Sequence, residues 1–211
     1  MMINEQLLVN MTNKGGRKLK KDLRIIKTEE SLREALLKLL KTKALETITI
    51  SELCRLAQIN RGTFYLHYQD VHGVFRHYFE VIVDDLKEAY EEPYRRTNFN
   101  IRTMTPEMVE IFSHVKKYKA FYQIVFDEKI PMTYYYLVFD TIRKIMRESL
   151  EKHPLFNHEA VHFNYHISYH TNAIIGILLE WHRQDYIISP KELNQQLIKL
   201  LVNAGTFGDQ S

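Results

Sequence analysis

Apolar residues recur along this chain at steps of three and four, the spacing that lines one face of an α-helix. Strand-like alternation of apolar and polar residues is not found. Ile25, Thr28, Leu32, Ala35, Leu36, Leu39 and Leu40 outline a first helix. Ile50, Leu53, Cys54 and Ala57 give a short second helix a narrow apolar face. Thr49 and Glu52 are spaced as a capping box at its start, each side chain able to satisfy an amide of the other residue. Gln58-Ile59-Asn60 reads as a turn, with Ile59 as an apolar plug and Asn60 as the N-cap of a third helix. In that helix Phe64 and Tyr68 lie four apart and face inward. Arg61, Thr63, Tyr65, Leu66 and His67 are left pointing outward.

The same periodicity continues to the C-terminus. Asp70 is placed to cap a long fourth helix through Phe75, Phe79, Ile82 and Leu86 towards Tyr90, where Pro93 and a polar stretch to Asn100 interrupt it. Thr105-Pro106 predicts a helix running through His114, with proline at its first position. Tyr118 to Phe126 is a shorter aromatic segment, and Thr133 to Lys152 carries Val138, Ile142, Ile145 and Leu150. The longest pattern runs from His158 to Arg183. Ser189-Pro190 with Glu192 opens a last helix through Leu193, Leu197, Leu200 and Leu201. The expected fold is all-α in two parts. A basic flexible arm (1–21) leads into a helix-turn-helix unit (22–69). A larger C-terminal helical domain (70–211) follows, joined through the helix that starts at Asp70.

A short helix that presents a cation, a hydroxyl, a phenol and an imidazole, turned at an angle on a support helix, suits a DNA major groove. The stretch resembles the N-terminal domain of the TetR family of bacterial transcriptional regulators. Thr49-Ile50, Leu53, Ala57, Ile59, Gly62-Thr63, Tyr65, Tyr68, Asp70 and Val74-Phe75 carry the resemblance. It implies that Arg61, Gly62 and Leu66 approach base edges. Thr63, Tyr65 and His67 would mainly contact phosphates, and Ser51 joins them as a DNA-binding position. By chemistry, Arg61 can pair with a guanine edge and Leu66 can touch a thymine methyl. The sequence departs from the family at Gln58, where glycine is usual. It departs again at Val71-His72, where a phosphate-binding lysine is usual, so that contact is missing or taken over by His72.

The resemblance also implies a homodimer built from the last two helices of each subunit, on an inverted-repeat operator. Phe163, Ile167, Ile174, Gly176, Leu178 and Trp181, with Leu197 and Leu201 of the last helix, are the expected interface. The other reading of this stripe is a helix buried within one subunit. Double-stranded DNA, a second copy and a small-molecule effector are thus the expected partners.

Charge sharpens this picture. Residues 1–80 hold fourteen Lys/Arg against nine Asp/Glu, whereas residues 81–211 hold fifteen against seventeen. Lys14, Arg17, Lys18, Lys20, Lys21, Arg24 and Lys27 form a basic run beside the groove-binding motif, suited either to phosphate contact or to a solvated tail. Cys54 is the single cysteine, which rules out an internal disulfide framework and fits a reducing compartment. Neither a membrane-length apolar run nor a signal-peptide pattern is present, so a cytoplasmic protein without membrane contact is expected.

Two clusters invite other chemistry. His158, His162, His166 and His170 are spaced by four, but each step overshoots a turn by about 40°, so the four cannot share one ion on a straight helix. Interfacial or pocket histidines are expected there, and no metal. Phe121, Tyr122, Phe126, Tyr134, Tyr135, Tyr136 and Phe139 are either ordinary core or the wall of an apolar effector pocket with phenols for orientation. The proposed effector contacts are Phe121, Tyr122, Tyr135, Phe139, His166 and Tyr169. No phosphate loop, nucleophile elbow, zincin motif or paired-carboxylate signature is found, and no cofactor is called for. A repressor released by a small molecule is the leading expectation. The alternatives are an activator or partner-controlled regulator of the same family, and an α-helical enzyme or small-molecule carrier.

Overall fold

A computed structural model of the protein describes residues 16–98, 100–129, 132–151 and 162–206. Every regular element among these residues is helical. The chain divides into two compact units, Met1–Tyr78 and Phe79–Ser211.

The N-terminal unit contains α1 (Gly16–Leu40), a 3-10 turn (Leu45–Thr47), α2 (Ile50–Ala57), α3 (Arg61–Tyr65) and the first part of α4 (Val71–Arg96). Leu32, Ala35, Leu36 and Leu40 of α1 are buried with Leu45, Ile48, Leu53, Cys54, Ala57, Phe64, Val71 and Val74. This is the face that the period of three and four marks out. The capping box forms as the spacing requires: Glu52 N donates to Thr49 Oγ1 (3.2 Å), and Thr49 N donates to Glu52 Oε2 (3.1 Å). Lys43 also bonds the Glu52 carboxylate, which closes the α1–α2 connection onto α2. The Lys43 bond first, then those from Thr49, hold the Glu52 carboxyl down at about 2.

Two boundaries differ from the sequence reading. Helix α1 begins at Gly16, so the basic run from Arg17 to Lys21 lies on a helix rather than in an arm reaching residue 21. Lysine, arginine and leucine are good helix formers, and Gly15-Gly16 is the last local break before them. Lys14 falls outside the described residues. The division between units comes after Tyr78 rather than at Asp70. The first turns of α4 are tied into the N-terminal unit, where the Arg33 guanidinium lies over the Tyr78 ring at 5.5 Å.

The C-terminal unit continues with the rest of α4, 3-10 turns at Ile101–Thr103 and Pro106–Met108, α5 (Ile111–Lys117), α6 (Lys119–Val125), α7 (Thr133–Glu151), α8 (Phe163–Arg183) and α9 (Pro190–Thr206). Its core holds Phe112, Val115, Phe121, Tyr122, Ile142, Ile145, Ile167, Leu178 and Trp181. Helix α4 does not stop near Tyr90 but runs through Pro93 to Arg96. A proline in the last turn removes only one backbone bond, and the Pro93 carbonyl still accepts from the buried Thr97 hydroxyl at 3.0 Å.

The helix expected from Thr105 to His114 is broken at Val109–Glu110. Asn194 of α9 explains the break, since its Nδ2 donates to the carbonyls of Pro106 (2.9 Å) and Val109 (2.8 Å). A carbonyl captured this way is satisfied outside a helix. Ser189 and Glu192 form the second capping box and start α9 as the sequence indicates.

Candidate nucleic-acid interface

Helix α3 is only five residues long, and its placement depends on side chains at its two ends. Asn60, in extended backbone, accepts from Thr63 N at 3.1 Å and so satisfies an amide that the helix itself cannot. Phe64 is the one buried side chain of α3, fully enclosed and edge-on to Tyr65 with centroids 5.6 Å apart. Around that pivot Arg61, Gly62, Tyr65 and Leu66 face solvent, and Thr63 and His67 are half-buried. Leu66 is 82% exposed, which leaves its side chain open to an apolar contact from outside. Arg61 and Tyr65 stand one turn apart on the same side, with the guanidinium 3.4 Å from the phenol oxygen. A Cβ at Gly62 would meet Asn60 Oδ1 at 3.2 Å, so a larger residue there would press on the cap. Ser51 lies exposed on the first turn of α2.

The corner after α3 is held by one contact that the spacing does not indicate and by one that it does. The Tyr68 hydroxyl (Oη) and His77 Nδ1 are 2.7 Å apart. Asp70 Oδ1 accepts from Gly73 N at 2.6 Å, the cap expected at the start of α4. At the preceding turn Gln58 adopts a left-handed conformation (φ 57°, ψ 37°), the conformation that makes glycine the usual choice there.

The residues expected to bind an effector do not share one environment. Phe121 and Tyr122 are completely buried. The Tyr122 hydroxyl meets His114 Nε2 at 2.9 Å, and His114 Nδ1 meets Asp85 Oδ2 at 2.6 Å, with Lys117 also on Asp85. Burial lowers the His114 pKa and outweighs the opposing pull of Asp85. The ring is therefore a neutral imidazole that accepts from Tyr122 and donates to Asp85. Tyr135 and Phe139 stack on α7 with centroids 6.5 Å apart, both half-buried. His166 is half-buried beside His170, whereas Tyr169 is 64% exposed.

The expected dimer stripe needs correction. Ile167, Ile174, Leu178 and Trp181 are all buried in the chain's own core, Trp181 at the floor of the groove described below. Phe163 lies half-buried under the Arg147 guanidinium, with Leu197 and Leu201 half-buried on α9. Periodicity finds an apolar face but does not say which neighbour covers it, and the strongest stripe of α8 goes to the interior. The open face is offset from it: Asn172, Ala173, Gly176 and Glu180 are exposed and Ile177 is half-buried. With Leu197 and Leu200 of α9 they line a groove of about 400 Å³. That groove contains none of the six expected effector residues.

His158 lies outside the described residues. His162 caps α8 through Nδ1, which accepts from Asn164 N at 3.3 Å. Among the described residues no three His, Cys, Asp or Glu side chains gather into a metal site. Nor is any helix among them long and apolar enough to cross a membrane.

Comparison with known proteins agrees with this architecture. Residues 102–203 match a family described as a transcriptional regulator C-terminal region. The uncharacterized HTH-type transcriptional regulator YxbF of Bacillus subtilis (strain 168) is 22% identical over 178 residues, 82% of this chain. The chain spans 44% of that relative's length, less than half of it. Two solved structures share the fold. The dihydroxyacetone kinase operon activator DhaS is 18% identical with a TM-score of 0.54, covering 84% of this chain and 95% of its own. A TetR transcriptional regulator from Streptococcus agalactiae 2603V is 15% identical, also at 0.54, covering 87% and 98%.

Proposed function

We propose that the chain is a DNA-binding transcriptional regulator of the TetR family that works as a homodimeric repressor, released from its operator by a small molecule. The observation that carries the DNA-binding part is the outward set Arg61, Gly62, Tyr65 and Leu66 over the buried Phe64. It offers a bidentate cation, a close-approach glycine, a phenol and an apolar tip within one helical turn, a combination that base edges and phosphates can satisfy.

The homodimer reading is supported by Gly176. Glycine inside a helix costs about 1 kcal/mol relative to alanine, and a Cβ here would meet nothing within 4 Å. Packing within one chain therefore does not require the glycine. A second α8–α9 pair laid along the groove of Ala173, Gly176, Ile177, Leu197 and Leu200 would. Two-fold pairing also suits DNA, whose successive major-groove faces recur about every 34–36 Å.

For the effector, the candidate contacts narrow to Tyr135, Phe139 and His166. Phe121 and Tyr122 are enclosed by their own core partners, and Tyr169 faces solvent. Action in the cytoplasm, where a chromosome is accessible, is part of the same proposal.

The second reading is an activator, favoured by one observation: the similarly folded DhaS carries that description. The experiment has two steps. Purified protein selects duplexes from a random-sequence pool, and transcription from a promoter bearing the enriched site is then measured with and without it. Reduced transcription supports the repressor, and increased transcription the activator. Failure to enrich any site would remove both.

A further inference from the structure

A five-residue helix with one buried side chain is poorly held against rotation. Phe64 fixes a point, but pivoting α3 about the direction from the Phe64 Cα to its ring would leave that ring enclosed while sweeping Arg61, Tyr65 and Leu66 across the groove. The Asn60 cap restrains the N-terminal end. At the other end His67 N and Tyr68 N both bond to Phe64 O (3.0 and 2.9 Å), which carries the chain into Tyr68. The Tyr68 ring lies against Phe64 (6.0 Å between centroids) and His67 (6.3 Å). Its far side faces the first turn of α4, where a Cβ on Gly73 would sit 3.7 Å from the ring. The phenol oxygen then reaches His77, whose ring is tilted on the Tyr68 ring at 5.9 Å. Burial pushes the Tyr68 hydroxyl up to about 12, so it remains a protonated phenol at any pH where the protein works.

We propose that the Tyr68–His77 hydrogen bond is the rotational lock of the recognition segment, which makes both residues positioning residues for sequence readout. Neither needs to touch DNA. Both are half-buried, and the bond between them is part-buried. Base-edge hydrogen bonds fail within a few tenths of an ångström and tens of degrees, whereas phosphate attraction tolerates such errors. Loss of the lock therefore has a signature distinct from general destabilisation: specific binding falls and non-specific binding does not.

The inference rests on the DNA-binding reading, and enrichment of a duplex by the wild-type protein tests that reading first. The probes are that enriched duplex and a mixed-sequence duplex. Tyr68→Phe removes one oxygen and keeps the ring, and His77→Leu removes the partner of that oxygen. Each is expected to lose ~3–10-fold in affinity for the enriched duplex, the worth of one hydrogen bond. Affinity for mixed sequence, and the dependence of both on salt, should stay as in wild type. The double variant should be no weaker than either single one. His77→Asn, which places an amide oxygen near the position of Nδ1, should recover most of the loss. Losses shared equally by both duplexes, or additive in the double variant, would overturn the proposal. So would an unchanged specific-to-non-specific ratio. A variant with a lower melting midpoint is assayed below that midpoint, where the ratio still decides.

Discussion

The two units of this molecule are held together on different length scales. In the N-terminal unit the decisive polar contacts join residues a few positions apart: Thr49 with Glu52, Asn60 with Thr63, Asp70 with Gly73, Tyr68 with His77. In the C-terminal unit they cross long intervals: His114 with Asp85, 29 positions away, and Asn194 with Val109, 85 positions away. The first kind of contact, Tyr68 with His77 excepted, is written in the spacing of the sequence. The second depends on the folded chain and on nothing nearby.

That difference predicts different responses to damage. Phe64→Ala removes the only buried anchor of α3 and should cost ~3–5 kcal/mol, abolishing DNA binding. Trp181, the single tryptophan, lies in the C-terminal unit, so its emission should be unchanged where helix content falls. Leu178→Ala, a cavity in the other core, should cost ~2–5 kcal/mol and shift the Trp181 unfolding transition itself. If both variants moved the two signals together, the units would unfold as one.

Gly176→Phe separates core from interface on α8. The open space at Gly176 should leave the melting of the folded chain near wild type when the protein is dilute. Self-association, measured by sedimentation, should weaken at least tenfold. Unchanged association would place the dimer surface elsewhere.

Acid should act on the two units in different ranges. His114 and His170 both have pKa values lowered from 6.5, His170 to about 4, by burial first and then by its neighbour His166. Below pH 6.5 the unfolded chain takes up these protons before the folded one does. The stability they contribute is therefore complete above 6.5 and is lost as the pH falls towards 4. Glu52 of the N-terminal unit is lowered from 4.5 to about 2, so its contribution is complete above 4.5 and is lost only as the pH falls through about 2. Urea unfolding at about pH 5, compared with pH 7, should show a lower midpoint for the Trp181 signal. A midpoint that rises on acidification would contradict the assignment of neutral, buried histidines.

What the sequence made legible follows the same division. Both capping boxes, the Asn60 and Asp70 caps and the outward set on α3 could be read because each needs only residues within one helical turn. The apolar stripe of α8 was legible as a stripe, but its destination was not. Ile167, Leu178 and Trp181 fill the chain's own core, and the smaller residues beside them are left open. The break at Val109 was invisible because Asn194 causes it. His114 gave no sign of its role, since a histidine in an apolar pattern says nothing about a carboxylate on another helix.

The smallest expected effect tests a local rule where this chain departs from it. Gln58 holds a left-handed backbone conformation, at a cost of roughly 1 kcal/mol that glycine does not carry. Gln58→Gly should raise the melting midpoint slightly, the gain being trimmed by the greater freedom of glycine in the unfolded chain. A clear drop would mean that the Gln58 side chain contributes more than its backbone costs.

Repression by this protein requires that α3 be the surface that reads DNA. The direct measurement is selection of duplexes from one random pool by the wild type and by Arg61→Ala, followed by affinity for the wild-type site. Arg61→Ala should lose ~1–3 kcal/mol and relax discrimination at one base pair in each half-site, leaving the rest of the enriched sequence intact. An enriched sequence identical at every position, with affinity unchanged, would show that the exposed face of α3 is not the reading surface.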